Sequence, residues 1–337
     1  WSCERGLSPD GGDYVGVGMA LSYQGNGLGT IPHDEGGGVL RLAEDGRIEA
    51  LLGLDELGQG LHAAIASQVA DCVGCARDDV RPVTGDTLLA PDSGSTTASR
   101  GSYVLWNTAR RTAPGFVRHM TKAAGKLLDR SPQDLCLVAG GIADRLSNSG
   151  YLLISYVDLA AALDPDERPS VSTHFAFPKT EHDGGNARYI FAFGATIARV
   201  AVSRATGEAR VLDLDLHTAA GPVIDVASYL GQMEGGAIQG LGFTLMEDAL
   251  MRDGAYLTTN LDAYMMPGIA DTAERLSVFA QESLDEGDDL GPRGVGELGI
   301  ASVTPAIVNA VGDAIGYWPS RTPLSPEAIL DHMETMQ

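Results

Sequence analysis

Runs of alternating apolar and polar residues predict β-strands in the first part of the chain. They cover Asp13 to Ser22, Val39 to Leu42 and Arg47 to Leu52, and the turn pair Asp45-Gly46 separates the last two. An Asp-Gly pair between two alternating runs is typical of a tight hairpin, in which the neighbouring strands are antiparallel. This part of the chain is therefore expected to form antiparallel sheet.

A helical period replaces the alternation after Leu61, where Ile65, Val69 and Val73 fall on one side of a predicted helix. Three further helical patterns follow, at Thr97 to Leu128, Ala227 to about Met251 and Ile300 to Ile315. Pro114-Gly115 favours a break in the first of these, because proline lacks the backbone N–H that a helix interior needs. Long helices are thus expected beside the strands.

The strongest predicted strand, Tyr189 to Val202, is rich in aromatic and β-branched residues. The turn Ala205-Thr206-Gly207 joins it to Val211–Leu216 as a hairpin, and a further strand-like run is Leu276–Ala280. Strands and helices are mixed without strict βαβ alternation. The predicted fold class is therefore α+β, with mixed sheets and packed helices.

Length and composition allow a substantial core, since the chain has 337 residues of which 44% are apolar. We expect one region, residues 1–337, built from two intertwined subdomains, about 1–130 with 187–235 and about 131–186 with 236–337. No apolar run reaches the roughly 18 residues of a membrane span, and no signal segment opens the chain. A soluble protein without membrane contact is expected.

The charge balance is strongly acidic, with 23 Lys and Arg against 45 Asp and Glu and a formal net charge of −22. Such a chain repels the phosphates of nucleic acids and of anionic lipid surfaces, so neither is expected as a partner. Four cysteines are too few for a disulfide framework in a chain of this length. The reducing cytoplasm is the expected location.

Two side-chain patterns could hold a metal, and neither is favoured. The segment Cys72-Val73-Gly74-Cys75 has CxxC spacing, but no second such pair accompanies it. Small thiols on a buried helix face are the favoured interpretation. His174 and His182 fit no common metal spacing and are expected in a loop, while His62 follows a glycine turn that it would help to orient.

A short segment occurs twice at predicted helix starts, as Leu57-Gly58-Gln59 and as Leu230-Gly231-Gln232. Glycine permits close approach of a ligand to the backbone, and the glutamine amide can both donate and accept hydrogen bonds. Two such helix starts would form a ligand site if they converged. The alternative is chance recurrence of a short tripeptide.

The stretch GPRGVGELGI, residues 291–300, carries a GxGxxG pattern at Gly294, Gly296 and Gly299. A dinucleotide site requires a strand running directly into the glycines and an acid roughly 20 residues further on. Here the acidic stretch 282–289 separates them from the nearest strand, and Asp313 is expected to face solvent. The favoured interpretation is a tight turn that presents Glu297 as a general base. The alternative is a glutamate that caps its own helix.

Four motifs, taken together, identify a family. They are ELGQGLH (56–62), STTASRG (95–101), GQMEGGAIQGLG (231–242) and RGVGE (293–297). In order and spacing they resemble the molybdopterin-binding subunit of the xanthine dehydrogenase/aldehyde oxidase family of molybdenum hydroxylases, in its C-terminal half. The resemblance runs from about Gly12 to Leu324 and implies a molybdopterin-type molybdenum cofactor, with the cytosine dinucleotide form as one alternative.

The resemblance assigns roles to individual positions. Leu57, Gly58 and Gln59 match the segment that contacts the pterin. The turn Ala98-Ser99-Arg100-Gly101 matches the loop whose backbone amides hold the phosphate-bearing tail, and Gln232 matches a second cofactor-binding glutamine. Glu297 matches the catalytic glutamate beside the molybdenum, which the pterin holds without protein metal ligands. By this analogy Glu297 is a general base, and water is the source of oxygen.

The chain also departs from the family pattern. The family's molybdenum subunit is about twice as long, and the FGG-type and FRGFG-type segments of its first half are absent here. The resemblance therefore implies a partner that supplies the N-terminal half of the molybdenum subunit. The cysteine spacings of the [2Fe–2S] domains and the flavin domain are absent too, so [2Fe–2S] and FAD are expected on partner chains.

Leu28 falls where the xanthine enzymes place a ring-stacking phenylalanine in the substrate pocket, which weakens a purine assignment. The implied activity is hydroxylation of an N-heterocycle, purine-like, or of an aldehyde. One alternative is a non-catalytic scaffold half of a larger complex. Another is a serine hydrolase, but the nearest nucleophile turn, Asp92-Ser93-Gly94-Ser95, lacks the flanking glycines.

Overall fold

Strands and helices are mixed along the chain in the computed structural model, which describes residues 6–7, 12–29, 34–146, 151–180 and 187–335. The strands are β1 (Gly6–Leu7), β2 (Asp13–Asn26), β3 (Glu35–Leu42), β4 (Ile48–Leu51), β5 (Val80–Val83), β6 (Leu135–Val138), β7 (Gly141–Asp144), β8 (Leu152–Ser155), β9 (Ser170–Ala176), β10 (Ile190–Ser203), β11 (Ala209–Ala219), β12 (Met251–Arg252), β13 (Ala255–Tyr256) and β14 (Arg275–Gln281). The helices are α1 (Leu61–Val73), α2 (Gly101–Leu128), α3 (Tyr156–Ala161), α4 (Val226–Leu245), α5 (Leu298–Ala301), α6 (Val303–Ile315) and α7 (Pro326–Thr335). The α+β class is confirmed.

The largest sheet has the strand order β1-β2-β10-β11-β14. Strands β2 and β10 are antiparallel and pair without interruption from Asp13 opposite Ser203 to Asn26 opposite Ile190. The predicted hairpin joins β10 to β11, and β14 then adds in parallel. The sheet therefore brings together segments that are far apart in sequence, because β1 and β2 come from the start of the chain and the other three strands from residue 190 onward.

One face of this sheet is covered by α4, α5 and α6. The buried side chains of α6, including Val303, Ile307 and Val311, pack in a core with Val200 and Leu214 of the sheet. A second core lies between α1, α2 and the sheet of order β5-β4-β3-β9, and it also includes residues from the small sheet β6-β7-β8. The buried residues of this second core lie between positions 40 and 190 of the sequence. Those of the core beneath the largest sheet lie between positions 192 and 333.

Several local predictions were wrong in detail. Helix α2 continues through Pro114 without a break, because its apolar side chains are buried over most of its length. The predicted helix at Ile300 is divided at Ser302, whose hydroxyl lies 2.8 Å from Thr196 Oγ1. Helix α4 ends at Leu245, short of the predicted end near Met251, and Met251 instead begins a hairpin around Asp253-Gly254, both at positive φ.

Residues 298–315 are long and apolar enough, by length and composition, to cross a membrane, although no run of this kind was expected from the sequence. More than half of the segment, 56%, is buried inside the protein. Its buried side chains pack against β2 and β10. We therefore interpret α5 and α6 as core helices.

Candidate functional site

A cavity of about 380 Å³ lies where α1, α2, α4 and α5 begin. Its lining is drawn from four segments, residues 57–64, 96–105, 222–232 and 292–297. The predicted site residues that line it are Leu57, Gln59, Ala98, Ser99, Arg100, Gly101, Gln232 and Glu297. The fold thus brings both glutamine segments and the glutamate to one place, and the roles assigned to these residues stay predictions.

Two predicted residues are not among those that line the cavity. Gly58 lies between two lining residues with φ of 97°, and a Cβ at this position would meet no atom within 4 Å. Leu28 follows β2, and its backbone N–H donates to Asp34 Oδ2 at 2.5 Å. The neighbouring Gly27 N–H donates to the carbonyl of Ala98 at 3.1 Å. Leu28 therefore lies beside the Ala98 turn, and its place in a substrate pocket stays a prediction.

The start of α1 is held by the carboxylate of Glu56. Its oxygens accept hydrogen bonds from the backbone N–H groups of Gly58, Gly60 and His62, at 2.9, 3.1 and 2.9 Å. Burial alone would raise the pKa of Glu56, but these N–H groups lower it below its ordinary value. The negative charge at this helix start is thus already supplied by the protein. Sequence reasoning missed this role, although an acid in the turn that leads into a predicted helix is a usable signal.

Gln59 uses both atoms of its amide for hydrogen bonds within the same loop. Its Oε1 accepts from the Leu57 N–H at 2.5 Å, and its Nε2 donates to the Asp55 carbonyl at 2.8 Å. The side chain therefore helps to hold the loop in shape, while its amide keeps a second N–H and a second lone pair that a ligand in the cavity could bind.

Arg100 shapes the loop that leads into α2. Its guanidinium is fully buried, donates to Asp34 Oδ1 at 2.9 Å and to the carbonyls of Ser93 and Ser95 at 2.8 and 2.9 Å, and lies over the ring of Phe177. Burial lowers the pKa of Arg100, and the charge of Asp34 opposes that shift. The side chain is thus a structural support, which leaves the backbone of the turn as the part that a ligand could contact.

The backbone of this turn is in an uncommon conformation at Ala98 and Ser99, whose φ angles are 47° and 44°. Non-glycine residues are held in this region only where the surrounding structure determines it. Here the Ala98 carbonyl accepts the Gly27 N–H, and Gly294 packs against Ser99. The first N–H groups of α2, from Gly101 onward, have no acceptor within their own helix. Helix starts of this kind suit phosphate groups.

The carboxylate of Asp225 caps the start of α4. Asp225 accepts from the N–H of Ser228 at 2.9 Å and from Arg77 at 3.1 Å, and these hydrogen bonds, those from Ser228 first, lower its pKa. Ser228 packs against Gly60, so the starts of α1 and α4 are in direct contact.

One turn further along α4, the Gln232 amide forms no hydrogen bond to any residue that the structure describes. It is free to bind a ligand in the cavity.

The glycine-rich stretch packs tightly on the Ala98–Ser99 turn. A Cβ at Gly294 would overlap the carbonyl oxygen of Ser99, so only glycine fits there. Asn26, at the end of β2, holds this backbone by donating to the Gly294 carbonyl at 3.1 Å and accepting its N–H at 3.0 Å. The sequence did not point to Asn26, because the contact spans 268 residues.

Glu297 is the residue that precedes α5, and its exposed side chain caps none of the helix N–H groups. The self-capping alternative is therefore wrong. A Cβ at the neighbouring Gly296 would lie 3.0 Å from Ser99 Oγ and 3.7 Å from Gln232 Oε1. The Glu297 backbone is thus adjacent to both predicted cofactor-binding elements, and no residue in the described part of the chain forms a hydrogen bond with its carboxylate.

The GxGxxG pattern does not have dinucleotide-site geometry. Strand β14 ends at Gln281, and the loop 282–297 separates it from α5, which is only four residues long. Gly299 packs against the backbone of α4 and leaves no room for a ligand. Asp313, expected to face solvent, is partly buried and accepts the Val17 N–H at 3.1 Å.

The other candidate metal residues lie elsewhere. Burial raises the pKa of the Cys72 and Cys75 thiols, that of Cys75 to about 12, so both are protonated near neutral pH. His174 lies on β9 beside Glu35, and the prediction of a loop there was wrong. His62 contacts Thr84 Oγ1 at 2.7 Å, and His182 lies outside the described residues.

The donor groups of the cavity fit a pterin cofactor with an anionic tail in most respects. Of the residues that the structure describes, none bonds the Gln232 amide and none accepts from the first N–H groups of α2, which lie beside a turn of unusual conformation. Gln59 fits less well, because its amide is engaged in its own loop. Among the described residues there is no group of three or more His, Cys, Asp or Glu that could hold a metal ion directly.

Comparisons with known proteins agree on one family. The family model described as the molybdopterin cofactor-binding domain matches residues 5–273. A protein of Bacillus subtilis (strain 168), named as a probable xanthine dehydrogenase subunit, is 40% identical over 320 residues, which are 95% of this chain and 42% of that protein. The "6-hydroxypseudooxynicotine dehydrogenase complex subunit gamma" of Paenarthrobacter nicotinovorans is 30% identical over 96% of this chain and 40% of its own length.

Solved structures show the same fold. Quinoline 2-oxidoreductase from Pseudomonas putida 86 superposes with a TM-score of 0.76 at 23% identity, over 96% of this chain and 42% of that chain. Aldehyde oxidoreductase from Desulfovibrio gigas gives 0.75 at 22% identity, over 97% of this chain and 33% of that chain. The chain thus spans less than half the length of these relatives. It belongs to the molybdopterin cofactor-binding domain family, in the xanthine dehydrogenase/aldehyde oxidoreductase group of molybdenum hydroxylases.

Proposed function

We propose that this chain is the molybdenum-cofactor-binding component of an oxidoreductase that hydroxylates an N-heterocycle or an aldehyde, with water as the oxygen source and Glu297 as the general base. The observation that carries the proposal is the shared cavity. Its lining includes Glu297, whose carboxylate forms no capping hydrogen bond to α5, together with Gln232 and the turn before α2. These groups come from three distant parts of the chain.

Each residue of the cavity would have its own role in binding the cofactor or in proton transfer. The first N–H groups of α2 would bind the anionic tail of the cofactor, and Gln232 would bind its pterin ring through both atoms of the amide. When bound, the cofactor would supply two-electron redox chemistry and would acidify the attacking water. Glu297 would accept the proton of that water at a carboxylate oxygen. Leu57 and Leu28 would contribute apolar contacts beside the ring systems.

The reaction requires more than this chain, and we propose the partners that the relatives suggest. A further part of the molybdenum subunit, corresponding to its N-terminal half, would close the other side of the cofactor. Chains with [2Fe–2S] centres and FAD would carry electrons away, and the complex would work in the cytoplasm. One relative is named for a complex subunit, and the matched proteins exceed this chain in length more than twofold, which supports a multi-part assembly.

The names of the similar proteins support two substrate classes. One solved structure is a quinoline oxidoreductase and another is an aldehyde oxidoreductase. The relatives are named for xanthine and for 6-hydroxypseudooxynicotine. An aromatic N-heterocycle or an aldehyde fits these names, and Leu28, which lacks an aromatic ring, favours a heterocycle other than a purine.

Replacement of Glu297 by Gln in the assembled complex tests the proposal. The molybdenum and pterin content should stay at the wild-type level, because glutamine keeps the size of the side chain. The turnover number kcat should fall by roughly three or more orders of magnitude, because an amide cannot accept the proton. The measurements are metal analysis, pterin fluorescence after oxidation, and steady-state kinetics with a heterocycle and an aldehyde.

Glu286→Gln is the matched control, since Glu286 is an exposed acid in the neighbouring loop. It should leave both cofactor content and kcat unchanged. Near-normal turnover of Glu297→Gln would remove this residue from the mechanism. A wild-type complex that contains neither molybdenum nor pterin would instead favour the non-catalytic scaffold function.

A further inference from the structure

The largest sheet has one face that no described helix covers. The side chains at even positions of β2 and β10 point to α5 and α6, as the close contacts of Gly18 with α6 and of Gly194 with Leu298 show. The side chains at odd positions point the opposite way, because successive residues of a strand alternate between faces. We call the odd-numbered side chains of β2, β10 and β14, together with those of β11 from Asp213 onward, the outer face; a bulge before Asp213 turns Val211 into the core.

The outer face carries large apolar side chains in adjoining rows. The register places Leu21, Ala195, His217 and Phe279 side by side in one row, and Tyr23, Phe193, Ala219 and Gln281 in the next. The exposed fractions are 74% for Leu21, 72% for Tyr23, 56% for Phe193 and 49% for Phe279, and Met19 extends the surface along β2 with 56%. The rows are contiguous, so the exposure is a patch and not a set of scattered residues.

The aromatic rings of the patch are ordered against each other. The imidazole of His217 stacks on Phe279 with centroids 4.6 Å apart and planes 13° from parallel. Tyr23 and Phe193 both contact the ring of Phe191, at 6.1 and 6.4 Å. Contiguous apolar surfaces of this kind are uncommon on isolated proteins and mark sites of protein association. The ordered rings would give a partner a preformed surface.

The patch has a charged border at one end and the candidate cavity at the other. Asp213 forms ion pairs with Arg199 at 2.5 Å and with Arg275 at 2.9 Å, and these close the apolar rows on one side. At the opposite end β11 leads through Ala220 to Pro222, which lines the cavity. The Ala220 carbonyl accepts the N–H of Arg293, which also lines the cavity. A polypeptide bound on the outer face would therefore extend to the edge of the cavity.

We infer that the outer face binds the part of the molybdenum subunit that this chain does not span, and this inference rests on the proposed function. The chain accounts for 42% of the length of its Bacillus subtilis relative and 42% of the matched quinoline oxidoreductase chain, so a large body is required to complete the subunit. A second copy of this chain is a poorer fit. It would bring two chains of formal charge −22 together, and their mutual repulsion opposes association.

The partner surface is expected to present aliphatic or aromatic side chains against Leu21, Tyr23 and Phe193. It should also offer a hydrogen-bond acceptor to His217 and a polar group to Gln281 at the edge of the patch, since polar atoms covered without partners are costly. A substantial share of the binding energy should come from the aromatic side chains at the centre.

The test uses this chain co-expressed with the remaining part of the molybdenum subunit as a separate polypeptide. The variant Leu21→Lys/Tyr23→Lys/Phe193→Lys changes only exposed side chains, so its circular dichroism and Tm should match those of the wild type. Its affinity for the other polypeptide should fall by roughly 100-fold or more, because three charges would be covered by an apolar surface. Leu88→Lys is the control, since Leu88 is 94% exposed and lies outside the patch; it should bind like the wild type.

The outcomes separate the inference from the proposed function. Unchanged affinity of the triple variant, in a complex that contains molybdenum, would overturn the inference and leave the proposed function standing. Lost affinity together with a wild-type complex that lacks molybdenum and pterin would support the surface and overturn the function. Dimerisation of the wild-type chain that the triple variant abolishes, or loss of the [2Fe–2S] chain alone, would assign the face to another occupant and overturn the inference.

Discussion

At the scale of single residues, the site depends on side chains whose hydrogen bonds go to the protein itself. Arg100 and Asn26 hold the turn before α2 and the Gly294 backbone in contact with each other. The resemblance identified Arg100 by position, but its side chain is buried and donates hydrogen bonds to the loop backbone. Asn26 was missed, since nothing in its local sequence distinguishes it from other strand-end residues. Packing between distant segments decides both roles, and local pattern cannot show it.

Gly294 gives the sharpest test at this scale. A Cβ at Gly294 would overlap the backbone carbonyl of Ser99, which cannot rotate away. We expect Gly294→Ala to lower the free energy of unfolding by about 2–3 kcal/mol and to reduce the bound cofactor, because the turn before α2 must shift. The measurements are urea unfolding and molybdenum content of the complex.

Gly296→Ala provides the comparison. Its Cβ would meet Ser99 Oγ at 3.0 Å, and that hydroxyl belongs to a side chain that can rotate. The cost should stay below about 1 kcal/mol. Equal losses in the two alanine variants would show that the Gly294–Ser99 contact is not what holds the turn.

At the scale of elements, the sequence predicted most helices and strands where the periodic pattern is long. The strands from Asp13, Val39 and Tyr189 and the helix from Leu61 all form. Errors arose where a tertiary contact decides the result. Packing of α2 on two sheets outweighs Pro114, and the Ser302 hydroxyl contact with Thr196 accompanies a break that apolarity alone does not predict. The convergence of four helix starts likewise depends on sheet pairing across the whole chain.

The start of α1 should respond to acid through Glu56. Its pKa in the folded protein is below the ordinary value of 4.5, so the carboxylate stabilises the fold above that pH and the contribution is lost as pH falls through the folded pKa. Glu56→Gln should lower the free energy of unfolding by about 1 kcal/mol at pH 7, because three N–H groups lose a charged acceptor. The difference from wild type should shrink below about pH 4.

Unfolding of both proteins in urea at pH 7 and at pH 4 measures this. Glu44→Gln is the control, as Glu44 is exposed on the turn before β4. A Glu56→Gln deficit that does not depend on pH would mean that the side chain acts by its shape and not by its charge.

At the scale of the whole molecule, two opposing electrostatic effects can be weighed. The net charge of −22 destabilises the compact state by self-repulsion, while ion pairs such as those of Arg81 with Asp45 and Glu49 stabilise it. Most of the ion pairs are at least partly exposed, and exposed pairs contribute about 0–1 kcal/mol each. The repulsion acts among all 45 acidic residues and should be the larger effect.

Added salt should therefore stabilise the protein at neutral pH. Raising NaCl from about 10 to 150 mM shortens the screening length from roughly 30 to 8 Å, which weakens repulsion between distant carboxylates more than contacts within ion pairs. Tm, followed by circular dichroism, should rise by several degrees at pH 7. The same change in salt should have little effect near pH 4.5, the isoelectric point of the sequence, where the net charge vanishes. A fall in Tm with salt at pH 7 would show that the ion pairs outweigh the net charge, and it would also remove the electrostatic objection to a second copy on the outer face.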